Sequence, residues 1–377
     1  MLDQLLRVKD TVDIFVSPTE SPDTLRIVFH WMTTRKRLEL VAGKPVVELL
    51  ALLDGTRTVR DRLRELGRFD EQAALQLLHF LSSQGLLVDV QSTPEPSPRY
   101  NRQEAFLDDW INLRPGAVTQ KLLAAKKVVL LGCGAVGGAI AEILVRAGVM
   151  HWVLVDYGHA SSSSTDRHPH VGMADIGRPK VDLLKSFLHR INANADVYCY
   201  REMLHPESAL EAWIPDDADL VINTCDEPYI GHTSLKLGRH LQVRGIALFV
   251  AGGFDAHLMS SGELIYPPRT PCIDCAQKSF DKALRNWKPT YLGANSQDNH
   301  VQMEHSIAGG RYAPGGSGGI AMMSSFSANL GAIAILQHLA EAPSIDHQTR
   351  RHEHLVNSGG ITSFSLYKQE GCNVCGA

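Results

Sequence analysis

The chain has 377 residues, of which 44% are hydrophobic and 21% charged, and its formal net charge is -4. This size predicts a globular protein with a full α/β core and room for a second, smaller domain. The slightly negative charge disfavours nucleic acid, so we expect a peptide or small-molecule partner. Acidic residues interrupt the first sixteen positions, which argues against a secretory signal and predicts a cytoplasmic protein.

The first ninety residues predict a small α+β domain. Alternating apolar and polar residues predict a hairpin of two strands, Leu25–Phe29 and Arg37–Val41. Helix caps and terminal glycines predict three helices, Val46–Leu53, Thr58–Leu66 and Glu71–Gln84. Leu86–Val88 then predicts a closing strand. This order indicates a winged-helix-like domain over residues 1–90. Three prolines among small polar residues predict a linker at 91–98.

Two stretches of this domain, Leu49–Val59 and Phe80–Leu87, resemble the PqqD-like peptide-recognition module of ribosomally made peptide pathways. That resemblance implies that a leader peptide adds as a strand to an exposed sheet edge beside a helix. The alternative is a generic winged helix that packs against the enzyme or a partner. Acidic residues offset the arginines of 60–68, so this module carries no basic face for nucleic acid.

From Lys126 onward the pattern becomes α/β. Apolar runs predict four buried strands and a helix, at Lys127–Leu131, His151–Asp156, Asp219–Thr224, Ala247–Ala251 and Val136–Ala147. The apolar stretch Gly319–Leu339 contains serines, Asn329 and Gln337, so it predicts a buried core helix and no membrane span.

A glycine-rich turn follows the first of these strands. Gly132, Gly134 and Gly137 permit a tight strand-to-helix turn and a close approach to phosphate, while Asp156 can accept hydrogen bonds from ribose hydroxyls. These features fit NAD and ATP equally. The hydroxyls of Ser161–Ser164 and the cations Arg167, Arg178 and Lys180 favour a triphosphate, unless they are solvated loop residues.

From Arg99 to the C-terminus the chain resembles the ThiF, MoeB and ubiquitin-activating superfamily. The residues that support this resemblance are Arg99–Gln103, the run Asp156–His168, Gly177–Lys180 and Asp226 after a buried strand. The chain departs from the usual run, since Gly158, Ser164, His168 and Glu227 replace a carboxylate, an Asn, a Gln and an Asn. The resemblance implies a Rossmann-like, ThiF-type adenylation domain with a mainly parallel sheet over residues 99–377.

The same resemblance implies roles for individual residues. ATP would contact Gly132, Gly134, Gly137, Asp156, Ser164, Arg167 and Lys180. Asp226 would hold Mg²⁺. In relatives the second arginine of the opening motif crosses a homodimer interface to the partner's ATP, which assigns Arg102 a catalytic role in trans beside Asp226, Arg167 and Lys180.

Two Cys-x-x-Cys pairs, Cys272/Cys275 and Cys372/Cys375, can form a closed tetrahedral zinc site. A closed site predicts a structural ion, and redox chemistry is the alternative. The chain has no cysteine between Cys275 and Cys372, which argues against a covalent thioester step. The segment 280–319 carries His300, His305 and Arg311 and predicts a mobile flap over a substrate.

The whole layout most resembles the adenylating enzymes of microcin C and pantocin A biosynthesis. It implies ATP-dependent adenylation of a carboxylate in a precursor peptide, followed by dehydration or cyclisation, with the leader bound by the N-terminal domain. Two alternatives are a noncatalytic leader-binding partner of an azole-forming cyclodehydratase and an activator of a ubiquitin-like sulfur carrier.

Overall fold

The computed structural model describes residues 1–32, 34–67, 70–91, 97–111, 114–205, 207–225, 230–251, 259–283, 319–342 and 349–376. The chain divides into two compact units, Met1–Lys121 and Leu122–Ala377. This division lies beyond the proline-rich segment 91–98, because the helix Asn101–Trp110 and the first residues of the next helix group with the first unit. The domain limits derived from the sequence stay a prediction.

The first unit contains an antiparallel sheet in the order β2–β3–β4 and a second pair formed by β1 and β5. Its strands are β1 Leu6–Val8, β2 Val12–Pro18, β3 Thr24–Trp31, β4 Arg37–Gly43 and β5 Leu87–Asp89. Its helices are α1 Lys44–Leu52, α2 Val59–Leu66, α3 Glu71–Ser83, α4 Asn101–Trp110 and α5 Gly116–Ala125, the last of which runs across the boundary. The hairpin, the three helices and the closing strand are confirmed as elements.

Local chemistry explains these elements. Thr58 caps α2 by accepting a hydrogen bond from the Asp61 N–H, and Asp70 caps α3 in the same way. Strand β3 alternates, so that Ile27 and Phe29 enter a core shared with the helices. Strand β2 was not predicted, because most of its side chains are exposed and its apolar residues follow no clear alternation.

The second unit is built on a six-stranded sheet in the order β12–β10–β9–β6–β7–β8. Its strands are β6 Lys127–Leu131, β7 His151–Val155, β8 Asp196–Tyr200, β9 Leu220–Asn223, β10 Ala247–Val250 and β12 Glu263–Ile265. The first five are parallel and β12 is antiparallel to β10. The α/β class and the mainly parallel sheet expected from the sequence are confirmed.

Helices connect and cover these strands. They are α6 Ala135–Arg146, α7 Lys180–Ile191, α8 Ile230–Arg244, α9 Ile273–Ala283 and α10 Ala321–Leu339, and a small sheet combines β11 Met259–Ser260, β13 Arg350–Leu355 and β14 Gly360–Ser365. The chain winds outward from β6 to β8 and then returns to the other side of β6 as β9. This reversal opens a crevice between the carboxyl ends of β6 and β9, where α/β proteins bind ligands.

Helix α10 coincides with the apolar stretch predicted as a buried helix. It packs against α6 and buries Ala328, Ala332 and Ile335. Among the helices described, none has the length and apolarity needed to cross a bilayer.

Candidate functional site

The glycine-rich turn lies at the reversal point of the sheet. Gly132 has a φ of 93°, and a Cβ there would lie 2.5 Å from Thr224 Oγ1 at the end of β9. A Cβ on Gly137 would lie 2.1 Å from the Gly132 carbonyl oxygen, so both positions require glycine for packing. Gly134, the N-cap of α6, has open space around it. The turn therefore leaves the positive end of α6 accessible to a phosphate.

Asp156 holds this turn in place from the end of β7. Its carboxylate accepts hydrogen bonds from the Cys133 N–H at 2.7 Å and from the Gly158 N–H at 2.7 Å. Each carboxylate oxygen has two lone pairs, so the group can still accept hydrogen bonds from a ligand. Asp156 is half-buried, which is compatible with the predicted contact to ribose hydroxyls.

Lys180 enters the same place from the first residue of α7. The Lys180 N–H donates to the Gly158 carbonyl at 3.0 Å, and this bond fixes the start of the helix beside the strand end. A Cβ on Gly158 would lie 3.1 Å from Lys180 Nζ and 3.0 Å from Asp156 Oδ1. Glycine at 158 thus leaves room for the Lys180 ammonium beside Asp156.

Four of the predicted residues line one cavity of about 130 Å³: Gly132, Gly134, Asp156 and Lys180. The sequence interpretation assigned no role to Tyr157, Glu202, Met203 and Thr224, which also line it. These residues follow the carboxyl ends of β7, β8 and β9. The rule that strand ends form the crevice of such sheets could have identified them, but β8 was not among the predicted strands.

Ser164 and Arg167 lie further along the same segment and do not line this cavity. Ser164 is buried, and its hydroxyl accepts a hydrogen bond from the Ser161 N–H at 3.1 Å within a short turn at Ser162–Ser164. The Arg167 guanidinium is half-exposed, and its Nε donates to the Ser163 carbonyl at 3.5 Å. Their assignment to ATP stays a prediction.

Three further predictions are not tested by this geometry. Arg102 is exposed in the first turn of α4 and belongs to the first unit. Asp226 and the predicted flap histidines His300 and His305, together with Arg311, lie outside the described residues.

Two buried histidines lie behind the nucleotide turn. The His170 ring packs on α6, since a Cβ on Gly138 would lie 2.6 Å from its Nδ1, and its centroid is 5.7 Å from that of His168. Burial, with help from the charges of Lys180 and Arg167, lowers the pKa of His168 to about 4. Burial lowers the pKa of His170 to about 3, and electrostatic interactions with His168 and Lys180 lower it in the same direction. Both imidazoles are therefore neutral at physiological pH.

The four cysteines converge as the sequence predicted. Cys272 and Cys275 lie at the start of α9 and meet the C-terminal pair, with Sγ–Sγ distances of 3.7 Å for Cys272–Cys372 and 3.7 Å for Cys275–Cys375. A tetrahedral zinc site with Zn–S bonds of about 2.3 Å requires sulfur atoms about 3.8 Å apart. All four sulfur atoms lie within 4.8 Å of one another, so the set fits a closed four-thiolate site.

The strand order, the glycine turn and the carboxylate at the end of β7 define a Rossmann-like nucleotide-binding domain. The chain belongs to the ThiF family, whose family model matches residues 100–374.

Comparison with curated proteins gives partial matches. The chain is 34% identical to tRNA threonylcarbamoyladenosine dehydratase of Bacillus subtilis over 99 residues, which are 26% of this chain and 39% of that protein. It is 27% identical to molybdopterin-synthase adenylyltransferase of Escherichia coli over 165 residues, 43% of this chain and 62% of that protein. The chain thus spans less than two thirds of the length of these relatives.

The fold is similar to that of two solved structures over nearly the full length. MccB of E. coli, solved with AMPCPP and MccA, superposes with a TM-score of 0.72 at 16% identity, covering 98% of this chain and 99% of MccB. PaaA superposes with a TM-score of 0.70 at 17% identity, covering 96% of this chain and 100% of PaaA.

Proposed function

We propose that this protein uses ATP to adenylate a carboxylate in a ribosomally made precursor peptide. The observation that carries the proposal is the similarity to MccB across both units, combined with a nucleotide-type cavity formed by Gly132, Gly134, Asp156 and Lys180. MccB was solved with MccA, and a further structure contains ATP.

The chemistry makes a carboxylate electrophilic. One carboxylate oxygen attacks the α-phosphorus of ATP, a new C–O–P linkage forms, and the bond between the α- and β-phosphates breaks to release pyrophosphate. Lys180 and the N-cap of α6 border the cavity and would stabilise negative charge on the phosphates. A nitrogen of the peptide then attacks the acyl carbon and expels AMP, which completes a dehydration or ring closure.

Three further groups complete the proposed site. Arg167 and, from the second subunit of a homodimer, Arg102 would add positive charge around the phosphates. Asp226 would hold Mg²⁺, which neutralises phosphate charge when bound. The four cysteines would hold a structural zinc ion that connects α9 to the C-terminal segment.

The first unit would bind the leader of the peptide. Strand β4 is at the end of the β2–β3–β4 sheet, and its side chains Arg37, Glu39 and Val41 are exposed. A peptide added along such an edge gains backbone hydrogen bonds, while exposed side chains provide selectivity. Holding the leader would raise the effective concentration of the reacting carboxylate near ATP.

A second candidate function is the activation of a ubiquitin-like sulfur carrier. The curated relatives favour it, since they include the sulfur carrier protein ThiS adenylyltransferase of B. subtilis. The lack of a cysteine between Cys275 and Cys372 and the presence of the first unit favour the peptide.

Pyrophosphate exchange into ATP distinguishes these functions. The assay measures label from pyrophosphate in ATP with candidate precursor peptides and, separately, with a ThiS-like carrier. We expect exchange with a peptide, a loss of about a hundredfold in Lys180→Ala, and normal exchange in the control Lys282→Ala, which changes an exposed lysine of α9. Exchange with the carrier alone would support the second function. A folded protein without exchange for any acceptor would support a noncatalytic leader-binding partner.

A further inference from the structure

One face of the parallel sheet near β8 has no helix on it in the described part of the chain. Parallel strands are usually joined by helices that bury both faces of the sheet. Helix α7 packs on β7 and β8 from one side. The connection from β8 to β9 contains only the three-residue 3₁₀ helix Leu210–Ala212 among its described residues.

The residues of β8 alternate between these two environments. Val197 is buried, and the Cys199 thiol contacts the Val181 carbonyl of α7 at 3.7 Å. The intervening Tyr198 and Tyr200 point to the opposite face and are 61% and 37% exposed. A parallel strand therefore presents two aromatic rings to solvent.

These rings form the floor of a groove of about 530 Å³ that Trp213 borders. The volume is within the range of about 300–1,000 Å³ that is typical of ligand sites. The groove also includes Lys127 and His151, the first residues of β6 and β7, and so extends to the amino end of the sheet. The groove shares no lining residue with the nucleotide cavity.

The charges around the groove select the sign of its ligand. Its acidic side chains Asp196, Glu211 and Asp217 are at least half-exposed, and each lies near one basic group, which is His151, His240 and Lys127 respectively. Lys127 Nζ pairs with Asp217 at 2.5 Å, and His151 Nδ1 lies 3.6 Å from Asp196. Among the described residues that line the groove, Lys127 is the one permanent cation against three carboxylates, and burial lowers the pKa of the nearby His240. Because aromatic faces also attract positive charge, the groove is complementary to a cation.

We propose that this groove binds an extended peptide segment through its arginine or lysine side chains. The cation would lie on the rings of Tyr198 and Tyr200 and donate hydrogen bonds to Asp196 or Glu211. A peptide suits the site because β8 is the last strand in the sheet order, so its outer edge can pair with an extended chain. Alternate side chains of that peptide would then project over the aromatic face.

The test titrates the full-length protein with acetyl-Ala-Arg-Ala-Arg-Ala-amide in a calorimeter, and with the same peptide carrying glutamine in place of arginine. We expect the arginine peptide to bind and to bind more weakly as salt rises, whereas the glutamine peptide binds at least about fivefold more weakly. Tyr198→Ala should weaken binding of the arginine peptide by about threefold, and Asp196→Asn should weaken it as well. The matched control is Tyr367→Ala, since Tyr367 is 64% exposed on another surface and its loss should change nothing.

Equal binding of the two peptides, no binding of either, or wild-type affinity in both groove variants would overturn the proposal. Sedimentation of the wild type as a dimer that Tyr198→Ala converts to a monomer would overturn it too, because the groove would then be an interface between copies. Because the groove shares no lining residue with the nucleotide cavity, we expect normal pyrophosphate exchange in Tyr198→Ala.

Discussion

The buried histidines behind the nucleotide turn make the stability of the second unit depend on pH. In the folded protein the pKa of His168 is lowered to about 4 and that of His170 to about 3, both mainly by burial. In the unfolded chain each imidazole titrates near pH 6.5. The stability that comes from keeping them neutral is therefore complete above about pH 6.5 and is lost as the pH falls toward 4, because the unfolded state then binds more protons.

The size of this loss follows from linkage. Each pH unit below 6.5 costs about 1.4 kcal/mol per histidine, as long as the folded imidazole stays neutral. Between neutral pH and about pH 5 each histidine thus removes about 2 kcal/mol from the free energy of unfolding, and the two together remove roughly 4 kcal/mol. That is a large part of the stability of an ordinary domain.

Denaturant unfolding at a series of pH values measures the effect. In the wild type, the two histidines should contribute a slope of about 2.4 kcal/mol per pH unit near pH 5.5, and His168→Gln should remove about half of it. His205→Gln, which deletes an exposed imidazole, is the control for the loss of a histidine at the surface. An identical pH dependence in wild type and His168→Gln would refute the reasoning.

Three other predictions test the site. Gly132→Ala should destabilise the protein by about 1–3 kcal/mol in thermal unfolding, because residue 132 has a φ of 93° and a Cβ there would contact Thr224. Gly134→Ala should keep wild-type stability and weaken ATP binding in a filter assay, because the space around Gly134 is open. Equal stability of the two variants would contradict this prediction. If Arg102 acts in trans, mixing inactive Arg102→Ala and Lys180→Ala subunits should restore part of the exchange activity, and no recovery in a mixture that forms mixed dimers would exclude the role. Cys372→Ser should lose the one zinc ion per chain that elemental analysis should find in the wild type, with a lower midpoint of unfolding; wild-type protein without metal would contradict the assignment.

The sequence predicted the parts of the fold whose residues carry a local signal. Strands β6, β7, β9 and β10 each contain at least three consecutive apolar residues, so their positions could be predicted to within a residue or two. Strand β8 was missed because its sequence alternates Tyr198 and Tyr200 with a valine and a cysteine, and one of its faces is uncovered. Local periodicity does not reveal which faces of a sheet lack a covering helix.

The candidate site was predictable where motif and packing coincide. The convergence of Gly132, Asp156 and Lys180 follows from the strand order, and the cysteine cluster follows from its spacing. The burial of Ser164 and the hydrogen bond from the Cys133 N–H to Asp156, which lies 23 residues further along the chain, depend on the tertiary fold. Such long-range contacts leave no trace in a single sequence.

The most direct test of the central claim follows one oxygen atom. A precursor peptide whose reacting carboxylate is labelled with oxygen-18 is incubated with the enzyme and ATP, and the mass of the released AMP is measured by mass spectrometry. Adenylation predicts that one labelled oxygen per turnover appears in AMP, because the carbon–oxygen bond breaks after the oxygen has bonded to phosphorus. Modified peptide with unlabelled AMP, or with the label in inorganic phosphate, would contradict the account.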